Sequence, residues 1–201
     1  ASGTYAGVNT TWGEMPSGDI STRNPGYYWL KNVSTDSAPG DQFSVDWNVL
    51  DNYNVYGQGR RAQTDVHVKL TMLGDYASVS MADGIPPQKS LDSPESYRYV
   101  IVKNEGAGEQ DSIFTSVIEA YRGTSNIASI ELLPVFNPDN SPASNSEVRA
   151  IRVTLTNGRV DTIVNALDNT KTYLVDGISF CGFMGVRSVL NGETVACYIA
   201  D

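Results

Sequence analysis

The chain has a single histidine, His67, inside the alternating run Val66-His67-Val68-Lys69-Leu70-Thr71-Met72, where it falls on the polar phase of a strand. One imidazole cannot build a two-histidine zinc site or a relay between two imidazoles, and no G-x-S-x-G nucleophile motif accompanies it. His67 therefore reads either as a lone general base or as a solvent-facing, hydrogen-bonded strand residue. Phosphate-binding chemistry fares no better. Gly57-Gln58-Gly59 lacks the downstream Gly-Lys-Ser/Thr of a nucleotide cradle, and Gly106-Ala107-Gly108 stands between Glu105 and Glu109, which repel phosphate. Both read as flexible loops.

The 23 acidic residues supply carboxylate pairs in any compact fold. A glycosidase needs two carboxyls held about 5–10 Å apart across a cleft. Asp111 with Glu119, or Glu131 with Glu147, are pairs that a sheet could bring together, but the sequence singles out no catalytic residue. Calcium suits the available donors better than zinc. Asp36, Asp41 and Asp46, and again Asp168, Asn169 and Asp176, offer oxygen ligands, although no EF-hand loop is present and solvated acidic loops have the same composition. No cofactor is expected beyond a structural calcium ion.

The aromatic residues carry the most specific signal. Three Trp and eleven Tyr stand beside five Phe, and amphipathic rings that both stack and hydrogen-bond suit sugar faces and interfaces. The richest stretch runs from Trp47 to Arg61, where Trp47, Tyr53, Tyr56, Arg60 and Arg61 alternate with Asn48, Asn52, Asn54 and Gln58. A sugar ring could lie on an aromatic face there while Asn, Gln and Arg bond its hydroxyls or a carboxylate. Alternatively, Trp47 and at least one tyrosine are core rings and Arg60-Arg61 is a solvated turn. Trp12, in a polar N-terminal stretch, is a further accessible aromatic; in Tyr27-Tyr28-Trp29, Tyr27 and Trp29 share a core-facing phase.

The elements that would position these residues are strands. Eighteen Gly, nine Pro and many Asn, Asp and Ser residues punctuate β-branched and aromatic runs at short intervals, the pattern of a sandwich or barrel. Tyr97-Arg98-Tyr99-Val100-Ile101-Val102 alternates like the His67 run. Asn157-Gly158 predicts a type I′ hairpin over Ala150–Ala166, with Leu155 opposite Val160, Val153 opposite Thr162 and Ile151 opposite Val164. Arg152, Thr154 and Asp161 would then occupy the other face. Asn191-Gly192 predicts a second hairpin, and Asp176-Gly177 and Gly74-Asp75 further turns. Ile113, Phe114, Val117, Ile118 and Tyr121 fall at helical spacing, but Phe114–Ile118 also reads as a strand, and its β-rich neighbours favour strand. The fold class expected is all-β, a single large antiparallel, jelly-roll-like β-sandwich over 1–201 with little or no helix. Residues 1–26 form an N-terminal extension or first strand.

Pairing about Asn191-Gly192 sets Cys197 opposite Val186 and away from Cys181, so buried free thiols are favoured over a disulfide unless the chain bulges near Gly182. With 14 basic and 23 acidic residues the net charge is −9, and Arg60-Arg61 is the one basic pair, which disfavours nucleic acid and anionic membrane as partners. No apolar run approaches the roughly 18 residues needed to span a bilayer. No leader-like stretch opens the sequence, as expected of a mature chain or an excised piece. Asn9-Thr10-Thr11 and Asn32-Val33-Ser34 match the glycosylation triplet, a frequent chance match.

Several segments in order resemble the C-terminal β-sandwich of heparinase II/III-type polysaccharide lyases. Tyr28-Trp29-Leu30-Lys31-Asn32-Val33 is similar to that family's opening strand, followed by an acidic loop and Trp47, and Val68–Gly74 to its next core strand. Ser112-Ile113-Phe114-Thr115-Ser116-Val117-Ile118-Glu119-Ala120-Tyr121-Arg122-Gly123 matches best. Val153–Asp161 and Val175-Asp176-Gly177 resemble the late hairpin and turn. The resemblance implies a many-stranded antiparallel sandwich, strand at Phe114, and a secreted or cell-surface bacterial enzyme of which this is a β module. It also implies that the catalytic Tyr and His residues belong mainly to a helical toroid with no counterpart in this sequence, so none of those roles transfers to His67.

The function expected is a non-catalytic carbohydrate-binding module that targets a polysaccharide-degrading enzyme to its substrate. Its partners are polysaccharide and the catalytic domain of the same multimodular protein, with Trp47, Tyr53, Tyr56, Arg60, Arg61 and Trp12 as the sugar-binding residues. The alternative is a structural C-terminal β domain that supports a lyase and binds nothing alone, which a large exposed apolar patch would favour.

Overall fold

The computed structural model describes residues 3–7, 13–14, 30–49, 65–84 and 96–201. Among these the chain is all-β, with no helix. A single domain over 1–201 is expected from the sequence; the contacts of the folded chain sort into two units, 1–110 with 116–123, and 111–115 with 124–201.

The first unit is a β-sandwich. One sheet has the order β1-β4-β5-β8, with β1 at Gly3–Gly7, β4 at Gln42–Asn48, β5 at Val66–Leu73 and β8 at Thr115–Arg122. The other has the order β2-β3-β6-β7, with β2 at Gly13–Glu14, β3 at Leu30–Asp36, β6 at Ser78–Gly84 and β7 at Tyr97–Lys103. Period-two alternation sorts each strand. Phe43, Val45 and Trp47 of β4 lie opposite Met72, Leu70 and Val68 of β5 and share one face, while Ser44, Asp46 and Asn48 share the other with Thr71, Lys69 and His67. Phe43, Met72, Tyr76 and Val79 form the core, joined by Leu70, Val100 and Val102, so the two sheets pack through these faces. Phe43 meets Tyr76 edge-on at 6.1 Å, and the Tyr76 hydroxyl donates to the Leu73 carbonyl, which satisfies a buried polar group at the Gly74-Asp75 turn. Each large side chain buried this fully contributes about 1.5–3 kcal/mol.

The second unit is a five-stranded antiparallel sheet of order β15-β14-β11-β10-β9. Its strands are β9 at Ile127–Leu133, β10 at Val148–Leu155, β11 at Val160–Ala166, β14 at Met184–Leu190 and β15 at Glu193–Ala200. A two-stranded hairpin, β12 at Thr172–Val175 with β13 at Ile178–Cys181, packs Tyr173, Val175 and Phe180 onto Val148, Ala150, Val164 and Ala166. The hairpin turns at Asp176-Gly177, both at positive φ as a type I′ turn requires. Gly185 leaves the space that the Phe180 ring fills, since a Cβ there would lie 2.5 Å from its Cε2.

Three expectations need correction. The β10–β11 hairpin exists, but Val153 lies opposite Asp161 and Ile151 opposite Ile163, one residue away from the register expected. The Gly158 amide donates to the Leu155 carbonyl and the Leu155 amide to the Arg159 carbonyl, with Gly158 at φ 86 and Asn157 outside the positive-φ set. The loop is therefore the three residues Thr156-Asn157-Gly158, a type I turn closed by a left-handed glycine. Arg152 consequently shares a face with Ala150 and Val164, and Asp161 shares one with Val153. Second, Cys197 lies opposite Arg187, because pairing shifts between Ser188/Ala196 and Val189/Thr194 and leaves Val195 as an extra residue. Third, both cysteines are free but exposed, not buried. The strand reading of 114–118 holds, as β8.

Candidate functional site

Of the six residues expected to bind sugar, the described structure contains one. Trp47 is half-buried on the phase of Phe43 and Val45, opposite Val68, which suits a core ring better than an open sugar face. Tyr53, Tyr56, Arg60, Arg61 and Trp12 lie outside the described residues, as does Tyr27-Tyr28-Trp29.

An aromatic surface does occur on another strand. In β7, Val100 and Val102 turn into the core, which forces Tyr97 and Tyr99 to the outer face. They are 47% and 45% exposed, and two residues of strand separate them by roughly 7 Å. Tyr97 lies opposite Gly84, and Tyr99 opposite Ala82. The Tyr99 ring lies over Gly84, where a Cβ would approach its Cε2 to 2.3 Å. The missing side chain on β6 thus lets the ring lie down along the sheet with its other face to solvent. Beneath, on the opposite phase, Asp83 accepts from Arg98 Nη1 at 2.8 Å and from Asn32 Nδ2 at 2.9 Å. Partial burial pushes the Asp83 carboxyl up, and the bonds from Asn32 and Arg98 outweigh it and hold it below its usual range. Asn32 takes a left-handed φ of 50° within the irregular β3–β6 pairing, and Asp83 binds its side chain there. The signal for this site is present in the sequence as Tyr97-Arg98-Tyr99 alternating with two valines.

His67 belongs to a second cluster, on the outer face of the other sheet. Its Nδ1 is 3.0 Å from Asp46 and its Nε2 3.3 Å from Asp65, its ring stacks on Tyr121 at 4.9 Å and 10°, and the Tyr121 hydroxyl donates to the second oxygen of Asp46. The hydrogen bond to Asp46 raises the His67 pKa above 6.5 against a lowering by desolvation, and Asp65 raises it further. The same carboxylate pushes Tyr121 up to about 12. Only the imidazolium donates from both nitrogens, so this geometry favours a cation clamped between two carboxylates on a phenol face. Neither nitrogen is left to accept a substrate proton. The cluster ties β4, β5 and β8 to the turn at Asp65, whose carbonyl accepts from the Gly123 amide at 2.9 Å.

Several of the other candidate groups are engaged within the fold. Glu131 binds Arg152, and Glu147 binds Lys171. Of the oxygens considered for calcium, Asp36 caps the Ala38 amide, Asp168 accepts from Thr170, and Asp176 binds Arg152 and Thr162. Among the described residues, no group of three or more His, Cys, Asp or Glu side chains is arranged to hold a metal ion.

No protein-family model and no curated protein matches the chain.

Proposed function

We propose that the chain is a non-catalytic carbohydrate-binding module that holds a secreted or cell-surface polysaccharide-degrading enzyme on its substrate. The observation that carries this reading is the exposed Tyr97–Tyr99 pair on a rigid strand, with Tyr99 lying over Gly84. Apolar C–H faces of a sugar stack on such rings, and a strand presents them without the ordering penalty of a loop. Weak affinity at each site is expected, because sugar hydroxyls exchange water bonds for protein bonds with little net gain. The similarity to heparinase II/III-type lyases supplies the context of a catalytic domain on the same polypeptide. The test is native electrophoresis through gels containing a panel of polysaccharides. Retardation by at least one of them, lost in the Tyr97→Ala/Tyr99→Ala double variant with an unchanged melting temperature, supports the module. Free migration in every gel refutes it.

A second reading has its own observation. Strand β15 ends its sheet, seven of its eight residues are exposed, and Val195, Tyr198 and Ile199 stand open beside Phe183 and Met184. Lys and Pro, the residues that usually blunt an edge, are absent from it. A bare apolar edge of this kind suits a structural domain that docks within a larger lyase. Under that reading no polysaccharide retards the isolated chain, and Ile199→Lys weakens its docking to the catalytic domain.

A further inference from the structure

The sequence holds two Asn-Gly pairs, Asn157-Gly158 and Asn191-Gly192, and each closes a hairpin of the second unit. We infer that Asn191 is a site of spontaneous covalent modification, converting through a succinimide to aspartate and isoaspartate, while the fold protects Asn157. The reaction needs a backbone nitrogen and a side-chain carbonyl that are free to meet. The Gly192 amide nitrogen, which no Cβ shields, gives up its proton to hydroxide and attacks Asn191 Cγ. The side-chain nitrogen takes up a proton and leaves as ammonia. Water then opens the ring, yielding aspartate when it adds at the side-chain carbonyl and isoaspartate when it adds at the main-chain carbonyl. The net change is amide plus water to carboxylic acid plus ammonia.

At Asn191 both groups are free. Leu190 lies opposite Glu193, so the loop is the pair Asn191-Gly192 alone, at φ 53 and 82 as a type I′ turn requires. The bond that closes such a turn joins the residues flanking the pair. Among the described residues neither the Gly192 amide nor the Asn191 side chain has a hydrogen-bond partner, and both residues are exposed. Opening this turn disturbs β15, a sheet-edge strand with seven of its eight residues exposed, and such openings are cheap. At Asn157 both groups are held. The Gly158 amide donates to the Leu155 carbonyl at 3.0 Å, Asn157 Oδ1 accepts from the Arg159 amide at 3.0 Å, and the loop joins two interior strands of the sheet. A Cβ at Gly158 or at Gly192 would meet nothing within 4 Å, so hydrogen bonding and not room separates the two sites. The Asp-Gly pairs, which reach the same ring by loss of water, are held as well: Asp83 by Asn32 and Arg98, Asp176 by Arg152 and Thr162. Isoaspartate adds a methylene to the main chain and a charge to the turn, which breaks the left-handed pair that closes β14 on β15.

The test is to age the chain in mildly alkaline buffer, folded and in guanidinium chloride, and to follow the tryptic peptides 153–159 and 188–201 by mass spectrometry. Each peptide contains a single asparagine, Asn157 or Asn191. In the folded chain peptide 188–201 should convert to its aspartate and isoaspartate forms at least about ten-fold faster than peptide 153–159, a factor equivalent to 1.4 kcal/mol. In guanidinium chloride the two should convert at similar rates, because the bonds that hold Asn157 are gone. Conversion of both at one rate in the folded chain, or of neither while both convert when denatured, overturns the inference. A lead for peptide 188–201 that persists undiminished in guanidinium chloride overturns its structural basis. Folded chain carrying isoaspartate at 191 should exchange its β15 amide protons faster than the parent, and unchanged exchange would overturn the loss of the turn.

Discussion

Two glycines make the same steric demand in different surroundings, and alanine at each should give opposite results. At Gly185 a Cβ would lie 2.5 Å from Phe180 Cε2 and 2.8 Å from Cδ2. Phe180 is 3% exposed and packed with Tyr173 and Val175, so its ring has nowhere to go. At Gly84 the clash with Tyr99 is closer still, 2.3 Å to Cε2, but that ring is 45% exposed and swings outward by the roughly 1 Å that restores ordinary contact. Overpacking a filled core costs about 1–3 kcal/mol, whereas a relieved surface contact stays within about 0.5 kcal/mol. Thermal unfolding followed by circular dichroism should show Gly185→Ala melting lower, by about 2–4 °C per kcal/mol in a chain of this size, with Gly84→Ala near the parent value. Gly84→Ala should instead lose polysaccharide affinity, because the displaced ring no longer lies along the sheet. Equal destabilisation by the two substitutions would show that Tyr99 is packed and not a free surface ring.

The His67 clamp should be felt as a pH-dependent stability. Because folding raises the His67 pKa above 6.5, its contribution is complete below that value and fades as pH rises through the folded-state pKa. Asp46 and Asp65 bond the ring and Tyr121 stacks on it, Glu119 acts on Tyr121 from the same strand, and Lys69 shares the His67 phase of β5. The melting-temperature gap between the parent and His67→Gln should therefore shrink between pH 6 and pH 9; a gap constant over that range would contradict the clamp. Cys181 and Cys197 should both react with a thiol reagent in the native state, two equivalents per chain, because both are exposed. Reaction only after denaturation would show that they are shielded.

How far the sequence foretold this structure follows from which face of each strand is buried. In β5 alternation sets His67 and Lys69 on one phase and Val68 and Leu70 on the other, as expected, although Thr71 and Leu73 on the His67 phase are buried where the strand ends. In β10 both faces are partly or wholly buried: Ala150 and Val148 on one side, Ile151 and Val153 on the other. Hydrophobic pattern then cannot choose between registers one residue apart, and Asn157-Gly158 is compatible with both a two-residue and a three-residue loop. The Asn157 side chain, which accepts from the Arg159 amide at 3.0 Å, belongs to the longer one. The Val195 irregularity that moved Cys197 leaves no mark on the hydrophobic pattern. Nor does the division into two units, because the chain enters the second at 111–115, returns to the first at 116–123 and leaves again without a Pro/Gly-rich linker.

Of the residues expected from the sequence to bind sugar, five lie outside the described residues, and the Tyr97–Tyr99 pair is a different aromatic surface that the sequence reading did not single out. Counting aromatic residues favours Trp47–Arg61, although Phe43-Ser44-Val45-Asp46-Trp47 already puts Trp47 in phase with two core residues. Tyr97 and Tyr99 are fewer, but the valines that follow point the other way and leave the rings nowhere except outside.

Whether these two rings contact polysaccharide is read out by aromatic NMR spectra of the chain during titration with a soluble polysaccharide that retards it in the gels. Ring resonances of Tyr97 and Tyr99 should shift and saturate together, while those of Tyr121, held by Asp46, and Tyr198, on the β15 edge, stay in place. Unmoved Tyr97 and Tyr99 resonances under a glycan that demonstrably binds, or shifts confined to Tyr198, would contradict that contact.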